Sequence, residues 1–440
     1  MNRPWKHVRV AADVLAIPSL VSEEELRYLT WLTGEAFASR GAVVDLGTWL
    51  GASTAALADG LRRSGRPGRV QGLDLFAWRR GYMEETAPLD LPEGADFEPH
   101  FRRYTAPLAA WIDVRKADLL STRWEGGEIE ILFVDAAKSW ELTKAFLAEF
   151  GPHLVPGESR VVLQDYRHWY THWLPLVFES RPDEWEEVES VERGTTVTFR
   201  PLRPLTRGGE LARPCSEESF AMASARAIFG RRMEREGGRN GAWLALGLYR
   251  KALIEDSREE AKALREGRWV EFLAHGFADD LLDLELLTLP ALQRGWQRFD
   301  EGAYEEASAL ARECLPGGEG PHRAQDLLAC ASMHLGRLAE AEDALERLLR
   351  AAPGCARALL RRAQLRIAQG RFPEAEPDLL EAVRRGGERA GFLRYALAVV
   401  EQLFRAGADP ERIPLLYGEL AALVPGSPEV RASMATTRSR

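Results

Sequence analysis

The chain has 440 residues, more than one ordinary hydrophobic core accommodates, so two or more domains are expected. Hydrophobic residues at 45% and charged residues at 28% are ordinary globular values and exclude a largely disordered chain. Lysine and arginine number 58 against 67 acids, a net charge of −9 without a basic block at either end, which argues against nucleic acid or an anionic membrane surface as the ligand.

The opening stretch MNRPWKHVRVAADV lacks the apolar core of a secretory signal, and no stretch reaches the roughly 20 apolar residues of a membrane span. A cytoplasmic protein is expected. Cys215, Cys314, Cys330 and Cys355 are widely spaced, so neither a disulfide framework nor a zinc site is expected. Ser22 with Glu25 three residues on spells a capping box that starts a helix at SEEELRYLTWLTGEAFA. Short β-branched runs then alternate with helical patterns. The predicted strands are AVVDL (42–46), RVQGLDL (69–75), IDVRKA (112–117), IEILFVD (129–135) and RVVLQD (160–165), followed by WEEVESV and TTVTFR. KSWELTKAFLAEFGPHL has helical spacing and a Gly-Pro stop. This is the pattern of an α/β domain with a mostly parallel sheet over residues 1–200.

Residues 201–216, PLRPLTRGGELARPCS, lose periodicity and read as a linker. GRRMERE beyond it alternates in sign and reads as a solvated helix face. Residues 217–289 are helical, an adaptor or degenerate repeats. Further on, Gly302, Gly336 and Gly370 are 34 residues apart, as are Ala307, Ala341 and Ala375. This period resembles the tetratricopeptide repeat, expected over 290–428 with Pro353 and Pro425 ending repeats, before a flexible tail at 429–440. Such an array implies a surface for a protein partner.

The loop VVDLGTWLGAST, Val43 to Thr54, joins the first strand to a helix and sets the backbone for a nucleotide-sized ligand. Its spacing fits neither G-x-G-x-x-G nor Walker A. What remains, Asp45-x-Gly47-x-x-x-Gly51, resembles class I S-adenosylmethionine-dependent methyltransferases, which have a Rossmann-like, mostly parallel seven-stranded sheet. The resemblance implies that Asp45 helps hold the cofactor's amino-acid end and that Gly47 and Gly51 make room for it, with Thr48, Trp49 and Ser53 lining the turn. Asp74 and Leu75 end the second strand, where an acid accepts ribose hydroxyls, and Asp118 follows the third, where the resemblance implies a contact with the adenine amino group. Each acid alone also fits a helix cap.

Asp135 and Asp165 end the fourth and fifth strands, with Lys138 and His168 three residues after each. Two carboxylates there suit Mg²⁺. The Asp-x-x-Lys resembles small-molecule O-methyltransferases of the catechol type, in which a metal orients a hydroxyl and the lysine is the base. Asp165-Tyr166 is similar to the Asp-Tyr pair of macrolide-sugar methyltransferases, in which a histidine and a tyrosine stand where Lys138 and Trp140 stand here. His168 and His172 would share a helix face, as base or ligand. Phe76 to Leu108, rich in aromatics and arginines (Trp78, Arg79, Arg80, Tyr82, Phe97, Phe101, Arg102, Arg103, Tyr104), is expected to supply a lid or acceptor pocket. The expected activity is methyl transfer from S-adenosylmethionine to an oxygen of a small molecule, a sugar or natural-product hydroxyl. Two other readings stay open: a non-catalytic scaffold acting through its repeats, and methylation of a protein that the repeats recruit.

Overall fold

A computed structural model of the chain describes residues 3–79, 83, 86–87, 89–192, 194–206, 216–316, 320–386, 390–424 and 430. They form two compact units, Met1–Ala261 and Lys262–Arg440. Residues 207–215 of the expected linker, Cys215, Pro425 and residues 431–440 of the expected tail lie outside the described residues.

The first unit is built on seven strands: β1 (Ala42–Leu46), β2 (Val70–Asp74), β3 (Ile112–Lys116), β4 (Ile129–Val134), β5 (Arg160–Leu163), β6 (Trp185–Ser190) and β7 (Val197–Pro201). Their order is β3-β2-β1-β4-β5-β7-β6, with β1 to β5 parallel and β7 antiparallel to both β5 and β6. Every residue of β4 is buried, its apolar run 131–134 between two covered faces and Glu130 held by the amides of Ala38, Arg40 and Gly41. The chain order reverses between β1 and β4, and ligands bind at such a switch point in open α/β sheets.

Helices α1 (Glu23–Trp31), α2 (Ala52–Ser64), α3 (Glu98–Thr105), α4 (Trp140–Phe150) and α5 (Trp173–Glu179) accompany this sheet. The capping box forms at α1: Ser22 caps Glu25 while the Glu25 carboxylate accepts from the Ser22 amide. Alanines dominate the buried part of α2 because it approaches the end of α1 closely. A Cβ on Gly60 would stand 2.0 Å from Thr33 Oγ1 and 2.3 Å from the Thr30 carbonyl oxygen.

Two expectations are corrected. The aromatics of 76–108 do not form a lid: Phe76, Trp78, Phe97 and Phe101 are core residues, each at most 1% exposed and packed edge to face. Arg80 and Tyr82 lie outside the described residues. Of the helical segment 217–289, α6 (Met222–Glu236) and α7 (Gly238–Ile254) belong to the first unit. The GRRMERE stretch in α6 is solvated at Arg231, Glu234 and Arg235 but not at Arg232. Its Arg232 is fully buried, donating to Glu179 at 2.9 Å, to Glu187 and to Glu236, and it lies over the Tyr166 ring. Arg167, also buried, bonds Glu236 at 2.9 Å and three carbonyls of the 191–196 turn. Trp140 adds a bond to Glu217 at 2.9 Å and stacks on Phe220.

The second unit is helical. Gly302, Gly336 and Gly370 each sit at a left-handed φ, 79°, 72° and 73°, in the turn between paired helices, so the 34-residue spacing is that of a helix hairpin. Gly276 makes the same turn, at φ 78°, between the helices Arg258–Ala274 and Ala278–Thr288, so this hairpin shares the repeats' turn geometry. Ala307, Ala341 and Ala375 are buried where the paired helices meet. Cys314, Cys330 and Cys355 are free thiols. No helix among the described residues is long and apolar enough to cross a membrane.

Candidate functional site

A cavity of about 570 Å³ opens in the first unit at the C-terminal ends of β1, β2, β4 and β5. Of the residues singled out from the sequence, Gly47, Thr48, Trp49, Ser53, Asp74, Leu75, Asp118, Asp135, Lys138, Asp165 and His168 line it; Asp45 and Gly51 do not.

The loop after β1 forms one end. Gly47 adopts φ 87°, donates its N–H to the Leu73 carbonyl at 2.9 Å and lies against the chain at 135–136, where a Cβ would stand 3.1 Å from the Ala136 nitrogen. Gly51 caps α2 at φ 98°, with no room for a Cβ beside Thr105 and Phe101, so it fixes the packing of the loop rather than the cavity wall. Asp45 is fully buried beneath the loop and accepts the hydroxyls of Ser53 at 3.0 Å and Thr54 at 2.6 Å. Burial pushes its carboxyl up to about 7. Asp45 therefore ties β1 to the first turn of α2, in place of the ligand contact expected for it.

Asp74 faces the cavity while its two oxygens accept the amides of Trp49 at 2.9 Å and Phe76 at 2.7 Å. Burial raises this carboxyl against the pull of those amides. Trp49 and Phe76 both stand at positive φ, 43° and 52°, strain of the kind that collects at ligand sites. Asp118 is exposed on the rim, capping the turn at Leu120.

The other end is assembled from side chains. Lys138 lies between two carboxylates: its Nζ is 2.5 Å from Asp135 Oδ1 and contacts Asp165 Oδ2. Partial desolvation at the cavity floor works against all three charges. Asp135 is raised, whereas Lys138 and His168 hold Asp165 below the usual carboxylate range. For Lys138 the two acids overcome desolvation and raise its pKa, so it is held as an ammonium. This corrects one expectation: the ammonium of Lys138 fills the place between the acids where Mg²⁺ was expected. Among the described residues no three His, Cys, Asp or Glu side chains converge as a metal site would need.

His168 lines the same end, with its Nδ1 accepting the Tyr170 amide at 3.1 Å and its ring 4.6 Å from that of Trp243. The expected helix face shared with His172 does not form, because residues 169–171 make a short 3₁₀ turn. His172 is buried away from the cavity, 2.9 Å from Glu217 and from Arg250, and burial lowers its pKa. Sequence reasoning missed Glu25, Thr195 and Trp243. Glu25 reaches past its capping box to the amides of Thr195 at 3.0 Å and Thr196 at 3.1 Å, joining α1 to the β6–β7 turn at the cavity edge. Trp243 comes from α7 and lines the cavity beside His168. Among the described lining residues, Glu25, Asp74, Asp118, Asp135 and Asp165 face only two permanent cations, Arg79 and Lys138.

Residues 44–170 match the family model of a methyltransferase domain, and residues 332–385 match that of a tetratricopeptide repeat. No curated protein matches the chain. Several solved structures are similar to part of it, two of them as follows. The O-methyltransferase NovP is 17% identical with a TM-score of 0.35, over 42% of this chain and 83% of that one. Apo CalS11, a TDP-rhamnose 3′-O-methyltransferase of calicheamicin biosynthesis, is 14% identical with a TM-score of 0.32, over 44% and 89%. The chain thus carries a methyltransferase domain and tetratricopeptide repeats.

Proposed function

Starting from a methyltransferase domain joined to helical repeats, we propose that the cavity binds S-adenosylmethionine and transfers its methyl group to a hydroxyl of a small molecule. The observation that carries this reading is the cavity's sign. Five carboxylates around a glycine loop at the switch point repel the phosphates of a dinucleotide or nucleoside triphosphate and attract a sulfonium and an ammonium. Its volume, about 570 Å³, is in the range of small-ligand pockets. The Asp74 tip of β2 supports ribose recognition, and the loop at Gly47 leaves room for the thioether.

In the reaction the acceptor hydroxyl gives its proton to a carboxylate and its oxygen attacks the methyl carbon. The C–S bond breaks with its electron pair going to sulfur, leaving a methyl ether and a neutral thioether. The protein's part is alignment and exclusion of water. Proton acceptance falls to the pair Asp135 and Asp165, because Lys138 is held as an ammonium and His168 Nδ1 is engaged with the Tyr170 amide. The repeats are assigned to a protein partner, as their family implies.

Calorimetric titration of the full chain with S-adenosylmethionine, NAD and ATP tests the reading. Binding of the first alone is expected; a chain that takes up NAD or ATP and no S-adenosylmethionine overturns it. If the acceptor is instead a protein recruited by the repeats, ending the chain after Ala261 abolishes turnover. A small-molecule transferase keeps it.

A further inference from the structure

Asp135 follows β4 directly and Asp165 lies two residues past β5, on neighbouring strands whose ends are paired at Val134 and Leu163. The fold therefore brings two carboxylates together at the cavity floor. Their separation is set by Lys138, whose backbone N–H is tied to the Ala136 carbonyl at 2.8 Å while its side chain returns between the acids.

Asp165 is held there at some cost. It is a non-glycine residue at φ 59°, kept in that conformation by Thr195, whose hydroxyl oxygen is 3.2 Å from its amide and 3.3 Å from its Oδ1, and by the Thr171 hydroxyl on its carbonyl. Next to it, Gln164 lines the cavity with a buried Oε1 that has no hydrogen-bond partner among the described residues. Hard cations bind this kind of oxygen donor set, and an ammonium already stands in it.

We propose that Lys138 is the resident cation of the acceptor end. It spaces Asp135 and Asp165, keeps their charge balanced, and offers its third N–H to the acceptor oxygen as negative charge builds there during transfer, so no divalent ion is required. An ammonium has three donors and the two acids take two. Fixed positive charge at a developing oxyanion is an effective form of catalytic stabilisation. A direct consequence is that removing the ammonium leaves a pair of carboxylates, with the Gln164 oxygen nearby, open to a hard divalent cation.

The catalytic part of this inference rests on the transferase reading; the cation part is tested by binding alone. The full-length chain and its variants, stripped with a chelator, are titrated with Mn²⁺ and followed by electron paramagnetic resonance. The wild type and Lys138→Arg are expected to take up no Mn²⁺ at this site. Lys138→Ala should take up one equivalent and lose it again in the double variant with Asp165→Asn. Lys138→Gln serves the same purpose if the alanine variant does not fold. A wild-type chain that binds one Mn²⁺ removable by Asp165→Asn overturns the proposal. So does a folded Lys138→Ala and Lys138→Gln pair that binds none. Failure of the wild type to bind S-adenosylmethionine would defeat the transferase reading but leave the Mn²⁺ result to judge Lys138.

Discussion

The two ends of the cavity are built in different ways. The end at Gly47 and Asp74 is made by backbone: one loop of five residues, 47–51, and the tips of adjacent strands, locked by amides donated to a carboxylate. The end at Lys138 and His168 is made by side chains from separate segments, around Glu25, Asp135, Asp165, Thr195 and Trp243, and it depends on two helices beyond the sheet. A backbone-built end tolerates side-chain change and suits a constant ligand. An end assembled from distant side chains can be altered piece by piece and suits a ligand that differs between proteins.

If the ends are separable, damage to α6 should reach one more than the other. Arg232 holds α6 to α5 through Glu179 and to β6 through Glu187, and pairs with Glu236 one turn on in α6 itself. Arg232→Met removes the buried cation that these acids share, leaving Glu179 and Glu187 to Arg235 and Glu236 to Arg167, and should destabilise the first unit by about 3–5 kcal/mol, read from its transition in denaturant. The surviving folded fraction should still bind S-adenosylmethionine. A loss of less than about 1 kcal/mol would mean that α6 is not anchored by this network.

The backbone-built end should carry a pH effect of its own. Asp45 titrates at about 7 in the folded chain, against roughly 3.9 for a free aspartate. Between these values the folded state holds a proton that the unfolded chain has released, so this group's stabilising contribution is complete below about pH 4 and is lost as pH rises through about 7. Asp45→Asn keeps an acceptor oxygen for Ser53 and Thr54 and does not titrate. Its stability relative to wild type should therefore climb between about pH 4 and 7 and level off above, by up to roughly 4 kcal/mol in all at about 1.4 per unit. Parallel stability curves for the two proteins would refute a buried, raised Asp45.

Asp74 reports directly on ligand binding. Asp74→Ala removes the acceptor for the Trp49 and Phe76 amides and the carboxylate facing the cavity. Charge-assisted hydrogen bonds are worth about 1.5–3 kcal/mol each, so S-adenosylmethionine should bind on the order of 100-fold more weakly by calorimetry. Unchanged affinity would move the cofactor elsewhere.

The same contrast accounts for what could be read from the sequence. The seven strands, the capping box at Ser22 and the repeat period were legible because each is a local pattern or a fixed spacing. Asp45 was placed correctly in its motif but not in space, since the spacing of acid and glycines does not say which way a strand residue points. Attachment of α6 and α7 was not legible, because Arg167–Glu236 and Arg232–Glu179 join residues 69 and 53 apart. One signal was present: Arg232 continues the buried stripe of Ala225, Ile228 and Phe229 at helical spacing, and an arginine on an apolar face marks a buried partner. Lys138 was visible as a residue near two acids, but only geometry shows it lying between them as an ammonium.

Trp243 provides the smallest and most selective test, since it reaches the cavity from a helix outside residues 44–170. Its ring stands 4.6 Å from His168 and presents a flat wall at the side-chain-built end. Aromatic contacts of this kind contribute about 0.5–1.5 kcal/mol beyond buried area. Trp243→Ala should therefore raise KM by about tenfold for a hydroxyl acceptor found by screening, with Trp243→Phe recovering most of it and S-adenosylmethionine affinity changing less than about twofold. Equal losses at both ends would mean that α7 supports the cavity as a whole. A loss confined to the acceptor would mean that acceptor choice extends into a helix that the sequence assigned to an adaptor.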